Sequence, residues 1–243
     1  MRTVLDSPED AALGQLEDRK SVFIGAVCHI SNEAEALAFL AARREADPKA
    51  RHVCHCAIWG GDLVGPGAQG PIDPADADDV NNSDNQQGPA NSGSGTLSEH
   101  MSDDGEPSGT AGKPILEVLR RNDMTDCIVT VTRYFGGILL GSGGLIRAYS
   151  SAASLALKAA KQAQIVPARR LLVRVDYPRY ERLKQLAGRC EGQVAHEEFT
   201  DQVTLTIDLP AEQVEAFTGQ LTNLFNAQVS AQDQGSTAFY RAL

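Results

Sequence analysis

The sequence is short of long apolar runs. Its longest apolar-rich stretch, Ala148 to Ala163, is broken by Lys158 and Lys161 and is too short to span a bilayer. Met1 to Gln15 is acidic, with no basic region followed by an apolar run, so no secretory signal is read there. No membrane association is expected. Cysteine is also scarce: five in 243 residues do not make a disulfide framework. A cytoplasmic, reducing setting fits best. Basic residues are missing from one stretch altogether. Asp62 to His100 holds seven acids and no Lys or Arg, so −7 of the net −10 sits there and the other 204 residues carry only −3. An acidic chain lacks the clustered cations that strong nonspecific polyanion binding needs. A local basic patch on the nearly neutral remainder stays open.

What is present is apolar pattern, at 42% hydrophobic residues, which is enough for packed cores. Lys20 to His29 reads as a strand with Val22, Ile24 and Ala26 on one face and Phe23 and Val27 on the other. Ser31 or Asn32 caps a following helix, whose apolar residues are Ala34, Leu37, Ala38, Leu40 and Ala41. Asp47-Pro48 ends it. Arg51 to Trp59 is a second strand. From 61 to 97 the composition is that of a disordered acidic insert: glycine, four prolines and no aromatic residue. Lys113 to Asn122 is a helix with Ile115, Leu116, Val118 and Leu119 facing inward. Asp126 to Thr132 is a strand buried on both faces. Gly143 to Lys161 is a helix of small residues, suited to close packing on a sheet.

Beyond this a second rhythm begins. Leu171 to Tyr177 is a strand and Arg179 to Gly188 a helix. A hairpin turns at Thr200-Asp201, Ala211 to Phe225 is a helix, and a last strand follows from Gln228 to about Ala231. That βαββαβ order is ferredoxin-like. The fold class is therefore α/β (α+β) in two domains. Residues 1–15 form a flexible N-terminus, 16–161 a first domain containing the insert, 162–169 a linker around Pro167, and 170–243 the second domain.

Glycine, charge and hydroxyl groups concentrate between Ser102 and Tyr149. Gly112-Lys113 is not a Walker loop, because Pro107 and Pro114 stand where Gly and Ser or Thr belong. Gly141-Ser142-Gly143-Gly144-Leu145-Ile146 is not a dinucleotide fingerprint, because Ile146 replaces the last small residue. Both segments do lead into helix starts with free N–H groups. An anion site, most naturally for phosphate, would use Gly109, Thr110, Gly112, Lys113, Arg133, Gly136, Gly137, Gly143, Gly144 and Arg147. The competing reading is that these glycines only make tight turns and close helix–sheet contacts.

Asp103, Asp104 and Glu106 would supply an acid–base or Mg²⁺-binding set together with His52, or simply cap turns and pair with cations. His52-Val53-Cys54-His55-Cys56 places His52, Cys54 and Cys56 on one face of a strand and His55 on the other. With no second paired cluster, no metal or other cofactor is expected. Cys54 and Cys56 read as small core residues, with a cysteine nucleophile as the alternative. Tyr134 and Phe135 would stack on a base or pack at the strand end. In the second domain Arg179, Arg182, Lys184 and Arg189 form a basic helix region or an ordinary solvated face.

The blocks Ser102-Asp103-Asp104-Gly105-Glu106-Pro107-Ser108-Gly109-Thr110-Ala111-Gly112, Arg133-Tyr134-Phe135-Gly136-Gly137, Gly143-Gly144-Leu145 and Arg147-Ala148-Tyr149 resemble the signature of the IMPACT/YigZ family. Lys20 to Gly25 and His52-Val53-Cys54 extend the likeness upstream. The resemblance implies a first domain with an α/β fold shared by a ribosomal protein and an elongation-factor domain, and a ferredoxin-like second domain. It implies RNA or ribosome association and a part in translational regulation, with no established reaction. The partner-binding domain of eukaryotic relatives is not read in this chain. The acidic insert departs from the family pattern, where a short loop is expected. Two other readings stand beside RNA binding. One is an enzyme acting on a phosphorylated or acyl small molecule through His52 and the carboxylates. The other is a protein-interaction module, which would show an exposed apolar patch.

Overall fold

The structure is a computed structural model that describes residues 1–60 and 97–243. The insert expected at 61–97 therefore lies outside the described residues, save Leu97. The chain divides into two compact units, one of residues 1–60, 97–167 and 239–243, the other of residues 168–238.

The first unit holds β1 (Arg2–Val4), β2 (Ala12–Asp18), β3 (Ser21–His29), α1 (Glu33–Ala46), β4 (His52–Trp59), β5 (Ser98–Ser102), α2 (Gly112–Arg121), β6 (Cys127–Tyr134) and α3 (Gly141–Ala159). Its main sheet has the order β2-β3-β6-β4-β5, and every neighbouring pair is antiparallel. The central strand β6 is buried from Cys127 to Arg133, as its β-branched run predicts. Period-two alternation splits the core into two layers. Phe23, Val27, Cys54, Cys56, Val129 and Val131 pack with α2 and α3. Ala26, Cys28, Ala57 and Ile128 pack with Ala36 and Phe39 of α1. The small residues of α3 let it lie close to the sheet. A Cβ on Gly25 would stand 2.4 Å from the Ala152 carbonyl oxygen.

Several expectations are corrected. Residues 1–15 form structure rather than a flexible tail. β1 pairs with the strand that starts at Gln162, β2 pairs with β3, and Val4 is fully buried. The inward face of α1 is Ala36 and Phe39, while Leu37 is 53% exposed. Phe39 has the most apolar area to bury and sets the helix's rotation. Asn32 is the cap, accepting the Glu35 N–H, while Glu35 accepts the Ser31 N–H at 2.7 Å. β5, not foreseen as a strand, pairs with β4.

The interval 162–169, read as a linker, is the first half of a 14-residue strand, β7 (Gln162–Val175), and the division between units falls within it. The second unit continues with α4 (Tyr177–Arg189), β8 (Gln193–Phe199), β9 (Val203–Pro210), α5 (Val214–Leu224) and β10 (Ala231–Ala242). The last strand is thus later and longer than predicted, and residues 239–243 belong to the first unit. The sheet order β10-β7-β9-β8 is the ferredoxin-like arrangement of a βαββαβ chain. Its core gathers Leu171, Val173, Leu183, Leu186, Leu205, Ile207, Phe217 and Leu221. Among the described residues, no helix is long and apolar enough to cross a membrane.

Candidate functional site

The first signature block is a loop stitched down by its own carboxylates. Asp103 accepts the backbone N–H groups of Gly109, Ala111 and Gly112 at 2.7, 2.9 and 2.8 Å. Burial alone would raise its pKa, but these three donors outweigh burial and hold the carboxyl below its ordinary value. The start of α2 is therefore filled from within the chain. Asp104 accepts the Val53 N–H and an Arg44 N–H, each at 2.6 Å. Glu106 is buried, accepts the Tyr149 hydroxyl at 2.9 Å and pairs with Arg133. The Thr110 hydroxyl donates to the Pro107 carbonyl at 2.6 Å.

His52 joins this cluster. Its Nδ1 lies 2.7 Å from the Asp104 carbonyl. A carbonyl only accepts, so Nδ1 carries a proton. The Cys54 thiol donates to the Asp103 carbonyl at 3.0 Å, and burial pushes its pKa up to about 12. A nucleophilic Cys54 would need the opposite shift. His52 thus meets the backbone of this loop, while each of the three carboxylates is engaged in holding backbone, a hydroxyl or a cation. Among the described residues, no group of three or more His, Cys, Asp and Glu side chains is placed to hold a metal ion.

The cations expected on one face separate. Arg133 is 6% exposed, with its guanidinium 5.4 Å from the Phe23 ring and 5.5 Å from the Phe135 ring. Tyr134 donates its hydroxyl to Asp47 at 2.7 Å and so ties the end of β6 to the end of α1. Lys113 is exposed on the first turn of α2. In the second unit Arg179 and Arg182 lie over the Phe225 ring, and Lys184 is held by Glu197 and Tyr180.

The second glycine block makes a different kind of helix start. α3 begins after Leu140 with no side-chain cap, and Gly141, Ser142, Gly143 and Arg147 are exposed. The Arg147 guanidinium folds back over this turn, since its Nη1 lies 3.8 Å from where a Gly143 Cβ would be. Gly144 is buried under Leu140. The preceding loop is pinned to the turn between β2 and β3. Arg19 donates to the Leu139 carbonyl at 3.1 Å, and the Gly136 N–H donates to the Ser21 hydroxyl at 3.1 Å. A Cβ on Gly136 would stand 2.1 Å from the Lys20 carbonyl carbon, so only glycine fits there. Phe135, Ile138, Leu139 and Ile146 are 46, 43, 80 and 42% exposed around this start.

Sequence reasoning missed the hydrogen bonds made by Arg19, Arg44 and Tyr149. Only Tyr149 carried a signal: a hydroxyl among the apolar residues of a small-residue helix face.

Comparison with known proteins gives two family matches. Residues 19–157 match the Impact N-terminal domain, and residues 173–228 match a domain of unknown function (DUF1949). The chain is 32% identical over 207 residues to the Escherichia coli (strain K12) IMPACT family member YigZ, covering 85% of this chain and 86% of that protein. It is 31% identical over 215 residues to an IMPACT family member of Haemophilus influenzae, covering 88% and 89%. A solved structure described as a crystal structure of a hypothetical protein is 28% identical, with a TM-score of 0.51 over 95% of both chains. With the signature blocks in their expected places and relatives matched along most of its length, the chain belongs to the IMPACT family.

Proposed function

We propose that this protein binds RNA, free or within the ribosome, through the start of α3, and that it acts in translational regulation in the cytoplasm. The observation that carries the reading is the contrast between two helix starts in one domain. Asp103 accepts the first N–H groups of α2, whereas among the described residues no side chain accepts those of α3, where Arg147 folds over the turn and Arg19 holds the preceding loop. Uncapped N–H groups, a positive dipole end and nearby cations together suit a phosphate group. The exposed ring of Phe135 suits stacking on a base. The same chemistry suits a phosphate-bearing small molecule. An enzyme reading is weakened, because Asp103, Asp104 and Glu106 are all engaged. A protein-interaction reading has its own support in exposed Ile138, Leu139 and Ile146.

The test is a salt titration of RNA binding by the wild type and by Arg19→Ala/Arg147→Ala. Each removed phosphate contact lowers the log–log salt slope by about one. An unchanged slope and affinity overturn the RNA reading, and binding that vanishes only in Leu139→Ala favours a protein partner.

A further inference from the structure

The outer edge of the second unit's sheet carries features that RNA binding does not use. β8 is the outermost strand there, and among the described residues no strand lies beyond it. A free edge presents unpaired N–H and C=O groups to any extended chain. Natural edges are guarded by lysine, proline or bulges. β8 has neither lysine nor proline, and its irregularity lies at Val194/His196, leaving His196 to Phe199 in regular register with Thr206 to Val203.

Two features mark that regular half. The first is aromatic. Phe199 and Tyr177 are 52 and 53% exposed, their ring centres 6.5 Å apart. The Tyr177 hydroxyl donates to the Thr200 carbonyl at 2.7 Å, which holds the ring against the hairpin turn. Tyr180 meets Phe199 edge-on at 5.5 Å. The second is charge. From Gln193 to Val203 the chain holds Glu197, Glu198 and Asp201, and no Lys or Arg. The cations of α4 do not neutralise all of this. Lys184 is held by Glu197 and Tyr180, while Arg179 and Arg182 lie over Phe225. Glu198, on the opposite face of β8 from Phe199, and Asp201 in the hairpin turn stay exposed.

We propose that the edge of β8 is a docking strand for an extended, lysine- or arginine-bearing segment of a partner protein. The segment adds to the sheet through main-chain hydrogen bonds. Its alternate side chains then lie on Phe199 and Tyr177, and its cations meet Glu198 and Asp201. The acidity of this edge repels a phosphate backbone, so it is distinct from the RNA surface on the first domain.

The test uses the full chain and a synthetic peptide of about eight residues alternating lysine and valine, with a glutamate–valine peptide as control. Hydrogen exchange on the His196–Phe199 amides and a binding titration are read together. The lysine peptide slows exchange at these amides and the glutamate peptide does not. Glu198→Lys/Asp201→Lys and Phe199→Ala each weaken binding at least tenfold with unchanged unfolding midpoints. All three side chains are on the surface, so the variants fold. Arg147→Ala leaves peptide binding unaltered, which separates this outcome from that of the RNA reading. Equal binding of both peptides, protection elsewhere than β8, or protection of the same amides by an RNA oligonucleotide would overturn the proposal.

Discussion

Arg133 and Glu106 form an ion pair whose side chains are only 7 and 3% exposed, although 27 residues separate them in sequence. Breaking a buried pair strands the surviving charge and costs about 3–5 kcal/mol. Arg133→Ala or Glu106→Ala should lower stability by that amount in urea unfolding. The Nε of Arg133 is buried without a hydrogen-bond partner among the described residues, so the pair is incompletely satisfied. The double variant Glu106→Leu/Arg133→Met should therefore recover most of the loss. Single variants costing under about 1 kcal/mol would contradict the burial of the pair.

Asp103 gives the loop a pH dependence of definite sign. Its carboxyl is held below the ordinary value in the folded state. Its contribution is therefore complete above the ordinary carboxylate pKa and is lost as pH falls through the lower folded value. Asp103→Asn should lose about 1 kcal/mol at neutral pH, as helix caps do. The variant's stability should also fall less steeply than the wild type's in the acid range. Parallel curves from pH 7 to pH 2 would show that Asp103 is not the group responsible.

Cys54 should be inert. Burial pushes its thiol up to about 12, and Cys28 and Cys56 likewise. At pH 8 only about one molecule in ten thousand carries the thiolate. Native protein treated with iodoacetamide at that pH should leave Cys54 and Cys56 unmodified by mass spectrometry, and unfolding should expose both. Rapid modification of native Cys54 would revive a nucleophilic role.

The central strands and α2 were legible because their signals are local. A β-branched run such as Ile128 to Thr132 and an apolar stripe such as Ile115 to Leu119 carry their own period. The face of α1 was not legible, since Ala34, Leu37, Ala38 and Ala41 make as good a stripe as Ala36 and Phe39. β1 was hidden because its partner, Gln162 to Gln164, lies far along the chain. In the candidate site the carboxylates were visible, but not their targets. Asp103 reaches amides six to nine residues ahead. Arg133 read as a surface cation because charges are usually solvated. Only the fold, by bringing Glu106 and Tyr149 beside it, makes its burial tolerable.

RNA binding at α3 depends on the inequality of the two helix starts, and an amide footprint tests it most directly. Hydrogen exchange should be followed across the full chain with and without a single-stranded RNA oligonucleotide. The account predicts slowed exchange at Ser142, Gly143 and Gly144 at the start of α3, lost in Arg147→Ala. It also predicts no change at Gly109, Ala111 and Gly112, whose N–H groups already belong to Asp103. Protection at the start of α2 with none at α3 would contradict it.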